Sequence, residues 1–416
     1  MKILIYGVNF SPELTGIGKY SGEMAEYFSR NGWDVRVVSA PPYYPDWQID
    51  GRYKNTWKTE KFSSGIIIYR APLWVPRKPG GLKRLIHLAT FAASSIPSLL
   101  CNLRWKPDFI FVVEPSLLCA PNALLLGRLT KAKTWLHVQD YEIDAAFRLG
   151  LLGGGRLEQV LGAAERWIMR RFDLVSSISG KMVELAERKG VEKNKLFLFP
   201  NWVDVKHITP TNAQTIFRSE LNIPADAFVA LYSGNMGGKQ GLEILGSVVK
   251  IFESIEDCSS KVFFIFCGSG PAKVELKRLV EGSKQVRFLD LQPLARLSDL
   301  LATADVHLLP QRADAADLVM PSKLTGMLAS GRPVVATAAP GTELEDIIFN
   351  RARCGLVVTP DNAEAFAQGI LQLYRDADKR LVYGVNARNF AERELDRTAI
   401  LNSVSLLLRK LRANPD

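Results

Sequence analysis

Three stretches of this 416-residue chain set glycines and a lysine together at the entrance of a helical pattern, a grouping suited to binding phosphate. The first is Gly7-Val8-Asn9-Phe10-Ser11-Pro12-Glu13-Leu14-Thr15-Gly16-Ile17-Gly18-Lys19-Tyr20, which follows an apolar run and opens on the amphipathic pattern Ser21 to Arg30. Gly16 and Gly18, with Ile17 between them, let backbone N–H groups approach an anion that a helix dipole also favours. A tight turn without a ligand accounts for these two glycines equally well, and the spacing is not GxGxxG, which argues against a nicotinamide enzyme. The second is Ser233-Gly234-Asn235-Met236-Gly237-Gly238-Lys239-Gln240-Gly241, a further diphosphate cradle with a cation inside it.

The third runs from Met320 through Pro321-Ser322-Lys323 to Gly331-Arg332-Pro333 and on into Val334-Val335-Ala336. Pro321 and Ser322 suit a helix start and Gly331 its C-terminal cap. Lys323 in the first turn opposes the helix dipole unless an anion sits there, and a solvated surface lysine is its plain alternative. Other reactive types are sparse. Glu114, Asp140, Glu142 and Asp144 fall near strand ends of the first half, where solvated loop residues or helix caps are the commoner role. His137 reads more readily as a satisfied strand-end histidine than as a catalyst, and His87, His207 and His307 share no metal-ligand spacing. No metal is expected.

The elements that must hold these loops alternate. Apolar, β-branched runs occur at Lys2–Tyr6, Val35–Ser39, Ile66–Tyr69, Phe109–Val113, Thr134–Val138, Leu174–Ser177 and Leu196–Phe199, each separated by helix-length segments. The pattern restarts after Pro200 with Phe228–Tyr232, Val262–Phe266, Val286–Leu289, Val306–Leu309, Val334–Ala336 and Leu356–Val358. Strands alternating with helices mean parallel sheets covered on both faces, so two doubly wound α/β domains are expected, residues 1–205 and 206–416, with ligands beyond the carboxyl ends of the strands in a cleft between them.

Composition agrees. With 47% hydrophobic residues the chain buries large cores, which excludes disordered and fibrous classes. Five cysteines, odd in number and without a CxxC, argue against a disulfide framework or structural zinc. Lys2 after Met1 and the brief run Ile3–Tyr6 are too short for a signal or spanning segment, so a cytoplasmic location is expected. The net charge of +10 is concentrated: residues 51–106 hold 11 basic and 1 acidic side chains, which equals the whole excess. That asymmetry points to an anionic partner, lipid or nucleic acid. Within the segment, Leu85 to Leu103 are 19 residues without formal charge, interrupted by His87, Asn102, three serines and Pro97. They read as an interfacial helix with basic ends and flanking Trp, or nearly as well as a buried helix of the first domain.

The TGIG loop, the P-S-K-L-x-G-x-L-A-x-G-R-P-V block from Pro321 to Val334 and the helical C-terminus together resemble the family 4 retaining glycosyltransferases of GT-B architecture, over nearly the whole chain. The opening KILIYGVNFSPELTGIGKY, APPYYPDWQ and WLHVQDYEIDA are most similar to the enzymes of that family in colanic acid biosynthesis. The resemblance implies two Rossmann-like domains facing an interdomain cleft. It also implies transfer of fucose from GDP-fucose to a polyprenyl-diphosphate-linked glucose in exopolysaccharide assembly, with no cofactor beyond the nucleotide-sugar co-substrate. It places the donor diphosphate against Gly16-Ile17-Gly18 and the loops holding Gly234, Asn235, Lys239, Ser322 and Lys323, and Gly341-Thr342-Glu343 near the donor sugar or ribose. His137 and Asp140 become the catalytic candidates of the first domain beside Lys323, as a donor-sugar contact and acceptor-side groups.

Departures from the family pattern are specific. Its pair of second-domain glutamates is missing: Leu318 and Gly326 stand at those positions, with Asp314 and Asp317 nearby. Asn235 replaces the glycine-loop arginine, which leaves Lys239 and Arg312 to supply positive charge. In the front-face mechanism proposed for the family the leaving diphosphate takes the acceptor proton, so no carboxylate pair is needed. With a lipid-linked acceptor the basic segment 51–106 gains a use, so peripheral attachment to the inner face of the cell membrane is expected, with the C-terminal helices packing back on the first domain and no nucleic-acid partner. Two rivals stand beside it. A non-catalytic protein binding an anionic membrane or nucleic acid leaves the glycine loops unexplained, and a sugar-binding receptor needs export.

Overall fold

The computed structural model describes the chain except for residues 14–15, 78–79, 115–116, 142, 145–146, 148–154, 212–214, 238–239, 313–319 and 414–416. Lys239, Glu142, Asp314, Asp317 and Leu318 therefore lie outside the described residues. The chain divides into two compact units, one of Met1–Pro200, Leu318–Met320 and Leu401–Asp416, the other of Asn201–Asp317 and Pro321–Ile400. The break falls after Pro200 rather than near residue 205.

The first unit holds β1 Lys2–Tyr6, β2 Asp34–Ser39, β3 Lys58–Lys61, β4 Ile67–Arg70, β5 Phe109–Glu114, β6 Lys133–Val138, β7 Leu174–Ser177 and β8 Leu196–Leu198. Their order is β3-β4-β2-β1-β5-β6-β7-β8, parallel throughout except for β3, which runs antiparallel to β4. The central strand β5, Phe-Ile-Phe-Val-Val-Glu, is buried along its whole length, as a strand covered on both faces must be. β3 has no apolar residue (Lys-Thr-Glu-Lys) and is the one strand the hydrophobic pattern does not show. It is held to the sheet by the ion pair of Glu60 with the fully buried Arg70, 3.1 Å apart, and its lysines blunt the exposed edge.

The stretch expected as one helix from Leu85 is two, Gly81–Ser94 and Ile96–Leu100, divided at Ser95 because Pro97 stands in the first turn of the second and lacks the N–H that continuation needs. One side of these helices is buried and the other is not. His87, Leu88, Phe91, Ser95 and Leu99 are buried, while Leu82, Ile86, Ile96 and Leu100 are exposed. No helix among the described residues is long and apolar enough to cross a membrane. From Leu401 the C-terminal helix belongs to this unit: Tyr27 Oη donates to Asn402 Oδ1, Arg409 lies 5.9 Å from the Trp33 ring, and Arg412 pairs with Asp108 at 3.3 Å.

The second unit holds β9 Phe228–Ser233, β10 Val262–Cys267, β11 Val286–Leu289, β12 Val306–Leu309, β13 Val334–Thr337 and β14 Gly355–Val358, in the order β11-β10-β9-β12-β13-β14 and all parallel. Every strand expected from the sequence is present in both units, its ends moved by at most one residue. Each sheet reverses its winding once, between β1 and β5 and between β9 and β12. Those reversals part the connecting loops and open a crevice at the carboxyl ends of the strands.

Candidate active site

In the second unit the loops after the neighbouring strands β9 and β10 are locked backbone to backbone. β9 ends at Ser233 and the chain turns through Gly234, at φ 143°. β10 ends at Cys267 and turns through Gly268-Ser269-Gly270. A Cβ on Gly268 would lie 1.9 Å from the Gly234 carbonyl oxygen, and one on Gly270 would lie 2.5 Å from that of Met236. Met236 N–H donates to the Ser269 carbonyl at 2.8 Å. The sequence reading overlooked this second glycine pair, although Cys-Gly-Ser-Gly-Pro directly after a buried strand was its signal.

Lys323 crosses this cradle. Its methylenes pass 3.3 Å from where a Gly234 Cβ would be, and its ammonium donates to Tyr232 Oη at 2.6 Å while lying 4.0 Å from that ring. Tyr232 Oη donates in turn to the Asn235 carbonyl at 2.6 Å. Part of the residue reaches solvent, but its ammonium is desolvated, which pushes its pKa down to about 7. No carboxylate is among the causes of that shift. A desolvated cation against glycine backbone is arranged to be charged fully only when an anion arrives. Gly234, Asn235 and Lys323 are thus brought together, with Ser322 immediately before the lysine.

The other expected groups of this unit stand around the same strand ends. Arg312 follows β12, where its Cγ packs 3.2 Å from a Cβ position on Gly241 and its guanidinium is 3.9 Å from Glu243. Thr337 Oγ1, at the end of β13, donates to the Gln311 carbonyl and accepts from Gln311 N–H, each at 2.7 Å, tying β12 to β13. Thr342 caps the short helix Glu343–Glu345 by accepting from Glu345 N–H. The Glu343 carboxylate is largely buried and paired with Arg351 at 3.3 Å.

In the first unit Gly16 starts the helix Gly16–Arg30 at φ 61°, which only glycine adopts without strain. Gly18 is needed for another reason: a Cβ there would lie 2.6 Å from Glu13 Oε2. Glu13, which the sequence reading did not single out, is buried and accepts from Tyr43 N–H (3.2 Å), Tyr44 N–H (3.1 Å) and Asn9 Nδ2 (3.0 Å). Burial nevertheless pushes its carboxyl up to about 7. Arg70 fastens the same loop by donating to the Ser11 carbonyl at 2.7 Å.

An acid with a raised folded-state pKa costs the folded state nothing below its unfolded pKa, and the full cost is present above about 7. Wild-type stability therefore falls as pH rises through that window. Glu13→Gln keeps an acceptor for both backbone N–H groups and should melt higher than wild type at pH 8 by up to about 2–3 kcal/mol of stability, the gain vanishing near pH 4. Parallel melting curves at the two pH values check this.

His137 lies on β6 with both ring nitrogens engaged, Nδ1 with Ser176 Oγ at 2.9 Å and Nε2 with Gln139 Nε2 at 3.0 Å. Because the Gln139 amide donates, Nε2 accepts and Nδ1 carries the proton. Burial, beside the stacked Phe111 ring, lowers its pKa to about 3. The ring is enclosed and neutral, the satisfied strand-end histidine that residue type and position favour over a catalyst. Asp140, two residues beyond Val138, is half-buried and faces Tyr44, whose hydroxyl pKa is raised by burial first and by the Asp140 charge second. The Arg84 charge acts on Tyr44 in the opposite sense, and Arg84 lies 6.0 Å from the Trp47 ring. Tyr43, Trp47 and His87 form one ring cluster, with Tyr43 Oη donating to His87 Nε2 at 3.0 Å. Aromatic faces beside a guanidinium and a carboxylate suit a sugar carrying phosphate.

Among the described residues no group of three His, Cys, Asp or Glu could hold a metal ion. Residues 15–202 match the glycosyl transferase 4-like domain and residues 227–376 match glycosyl transferases group 1. A protein named as a colanic acid biosynthesis glycosyl transferase, WcaI, from Escherichia coli (strain K12) is 41% identical over 409 residues, which is 96% of this chain and 98% of that one. The fold is shared with sucrose-phosphate synthase from Thermosynechococcus elongatus (TM-score 0.76, 19% identity, 99% of each chain). It is shared also with Anabaena HepE, solved in complex with UDP-glucose (TM-score 0.72, 17% identity, 99% of this chain and 100% of that one). The chain therefore belongs to the family 4 glycosyltransferases of GT-B architecture and is an enzyme of glycosyl transfer.

Proposed function

We propose that the enzyme moves fucose from GDP-fucose, with retention at the anomeric carbon, to a polyprenyl-diphosphate-linked sugar in the assembly of a colanic-acid-like exopolysaccharide, while attached to the inner face of the membrane. The observation that carries this reading is the 41% identity, end to end, with the colanic acid relative. The donor diphosphate rests on the Gly234 and Gly268–Gly270 loops, with Lys323 and Arg312 countering its charge. The sugar or ribose lies toward Thr342 and Glu343. Gly16, Ile17 and Gly18 offer backbone N–H groups to a phosphate of the substrates. Tyr44, Trp47, Arg84 and Asp140 receive the acceptor.

As the bond between the anomeric carbon and the phosphate oxygen breaks, the acceptor hydroxyl oxygen bonds that carbon from the same face, and its proton passes to the departing phosphate oxygen. Negative charge builds on the leaving diphosphate as positive charge builds at the anomeric carbon, and a cation and backbone dipoles fixed beforehand stabilise the departing phosphate without reorganising. This chemistry asks for no base, which agrees with the enclosure of His137.

The test is transfer of radiolabel from GDP-fucose to polyprenyl-diphosphate glucose in detergent. Labelled lipid with a retained anomeric configuration supports the reading. Labelling from a uridine-linked sugar in place of GDP-fucose overturns the donor, and an inverted product overturns the mechanism.

A further inference from the structure

Three successive helical segments of the first unit present apolar side chains outward. Gly81–Ser94 with Ile96–Leu100 joins β4 to β5, Ala120–Thr130 joins β5 to β6, and Arg156–Met169 joins β6 to β7. All three connections step in the same direction along the sheet, and right-handed crossovers place such helices on one face. Their inner sides confirm it by sharing one core, with Phe91 and Leu99 from the first, Ala123 and Leu126 from the second and Met169 from the third.

Their outer sides are the unusual part. On the first segment Leu82, Ile86, Ala89, Ala93, Ile96 and Leu100 are all exposed at helical spacing, an unbroken apolar stripe. Leu125 and Leu129 on the second are 59% and 60% exposed, and Val160 and Trp167 on the third are 64% and 57% exposed. The charges on these segments are predominantly basic. Over residues 81–106, 117–131 and 156–171 there are 10 Lys and Arg against Glu158 and Glu165, and Glu165 is buried against Lys189. Arg171 lies 3.4 Å from the Trp167 ring centroid, so the tryptophan carries a cation on its face.

We propose that the outer side of these three segments, not of the first alone, is the surface on which the enzyme lies against an anionic lipid bilayer. Apolar ridges suit acyl chains at the interface, and surrounding lysines and arginines suit the phosphates above them. A nucleic acid would use the cations and leave the ridges in water. A second copy of the chain would set the patch against itself, opposing like charges across a two-fold axis. The three ridges widen the contact beyond what one short helix gives, and Arg84, on the same helix as Ile86, faces Tyr44 and Trp47, so a lipid-borne diphosphate would rise from the bilayer beside the proposed acceptor groups. The inference rests on the proposed membrane attachment and extends it to the helices Ala120–Thr130 and Arg156–Met169.

Flotation of the full-length protein with phosphatidylcholine vesicles, with and without phosphatidylglycerol, tests it, using Ile96→Gln with Leu100→Gln, Leu125→Gln with Leu129→Gln, and Val160→Gln with Trp167→Gln. All six side chains are exposed, so melting temperatures should stay at the wild-type value and confirm folding. Wild type should float only with anionic vesicles, and each pair should weaken binding by about tenfold. If only the Ile96 and Leu100 pair weakens it, the extension fails while membrane attachment stands. If wild type floats with neither vesicle, both fail. Equal binding to neutral vesicles overturns the charge complementarity, and a dimer dissolved by the same substitutions assigns the face to a second copy instead.

Discussion

Lys323→Ala should lower glycosyl transfer at least tenfold while leaving the melting temperature close to that of wild type. The ammonium donates to Tyr232 Oη and lies against Gly234, with burial alone driving its pKa down to about 7. The tyrosine hydroxyl to which it donates is neutral, so removing the lysine breaks no ion pair there and the fold loses little. A diphosphate at the same place would convert it to a partner in a charge-assisted hydrogen bond of about 1.5–3 kcal/mol, which corresponds to roughly tenfold to more than a hundredfold.

The same geometry fixes a pH dependence. Bound phosphate favours the charged amine, so donor binding should take up a proton. Affinity should be level below about pH 7 and weaken as pH rises above it, until the raised pKa of the complex is reached. Calorimetric titration in two buffers of different ionisation enthalpy reads the proton directly. A Lys323→Ala enzyme of wild-type activity, or donor binding without proton uptake, would remove the lysine from the site.

Gly268→Ala should abolish donor binding, with affinity falling by about a hundredfold or more, from a change of one methyl group. Its Cβ would lie 1.9 Å from the Gly234 carbonyl oxygen, inside any contact real atoms make, and the atom in the way is backbone that cannot rotate aside. The residue also sits at φ 149°, where an L side chain is strained by about 1–3 kcal/mol. The Gly234 loop must move, and with it the surface against which Lys323 lies. Gly282→Ala is the control: its φ of 84° is comparably unfavourable, but nothing lies within 4 Å of the added carbon. Donor affinity unchanged in Gly268→Ala, or equally reduced in Gly282→Ala, would show that the interlocked loops do not shape the site.

The sheets could be read from the sequence because both are parallel and buried on both faces, so each strand is a short β-branched run with no competing period. β3 escaped since an edge strand made of Lys58, Thr59, Glu60 and Lys61 is held by an ion pair to Arg70, an interaction between residues far apart in sequence. Lys323 and the Gly16 and Gly234 turns were legible from glycine and charge chemistry alone. Glu13 was not, because the value of a carboxylate in a loop depends on what covers it, and the N–H groups of Tyr43 and Tyr44 come from another connection of the sheet. His137 reads from its type and position as a satisfied strand-end histidine, and its catalytic role rests on the family resemblance alone. Position at a strand end placed it near the crevice, but the side to which a strand residue points decides whether it meets solvent or Phe111 and Phe199.

The central claim is that the loops at the β9 and β12 reversal hold a nucleoside diphosphate sugar. The most direct measurement is the melting temperature of the full-length protein against a panel of such sugars, GDP-fucose and UDP-glucose included. Binding to the folded state alone adds about 2.7 kcal/mol of stability at a hundred times Kd. The account predicts a clear rise with GDP-fucose that is lost in Lys323→Ala. A wild-type protein whose melting temperature no member of the panel moves would contradict it.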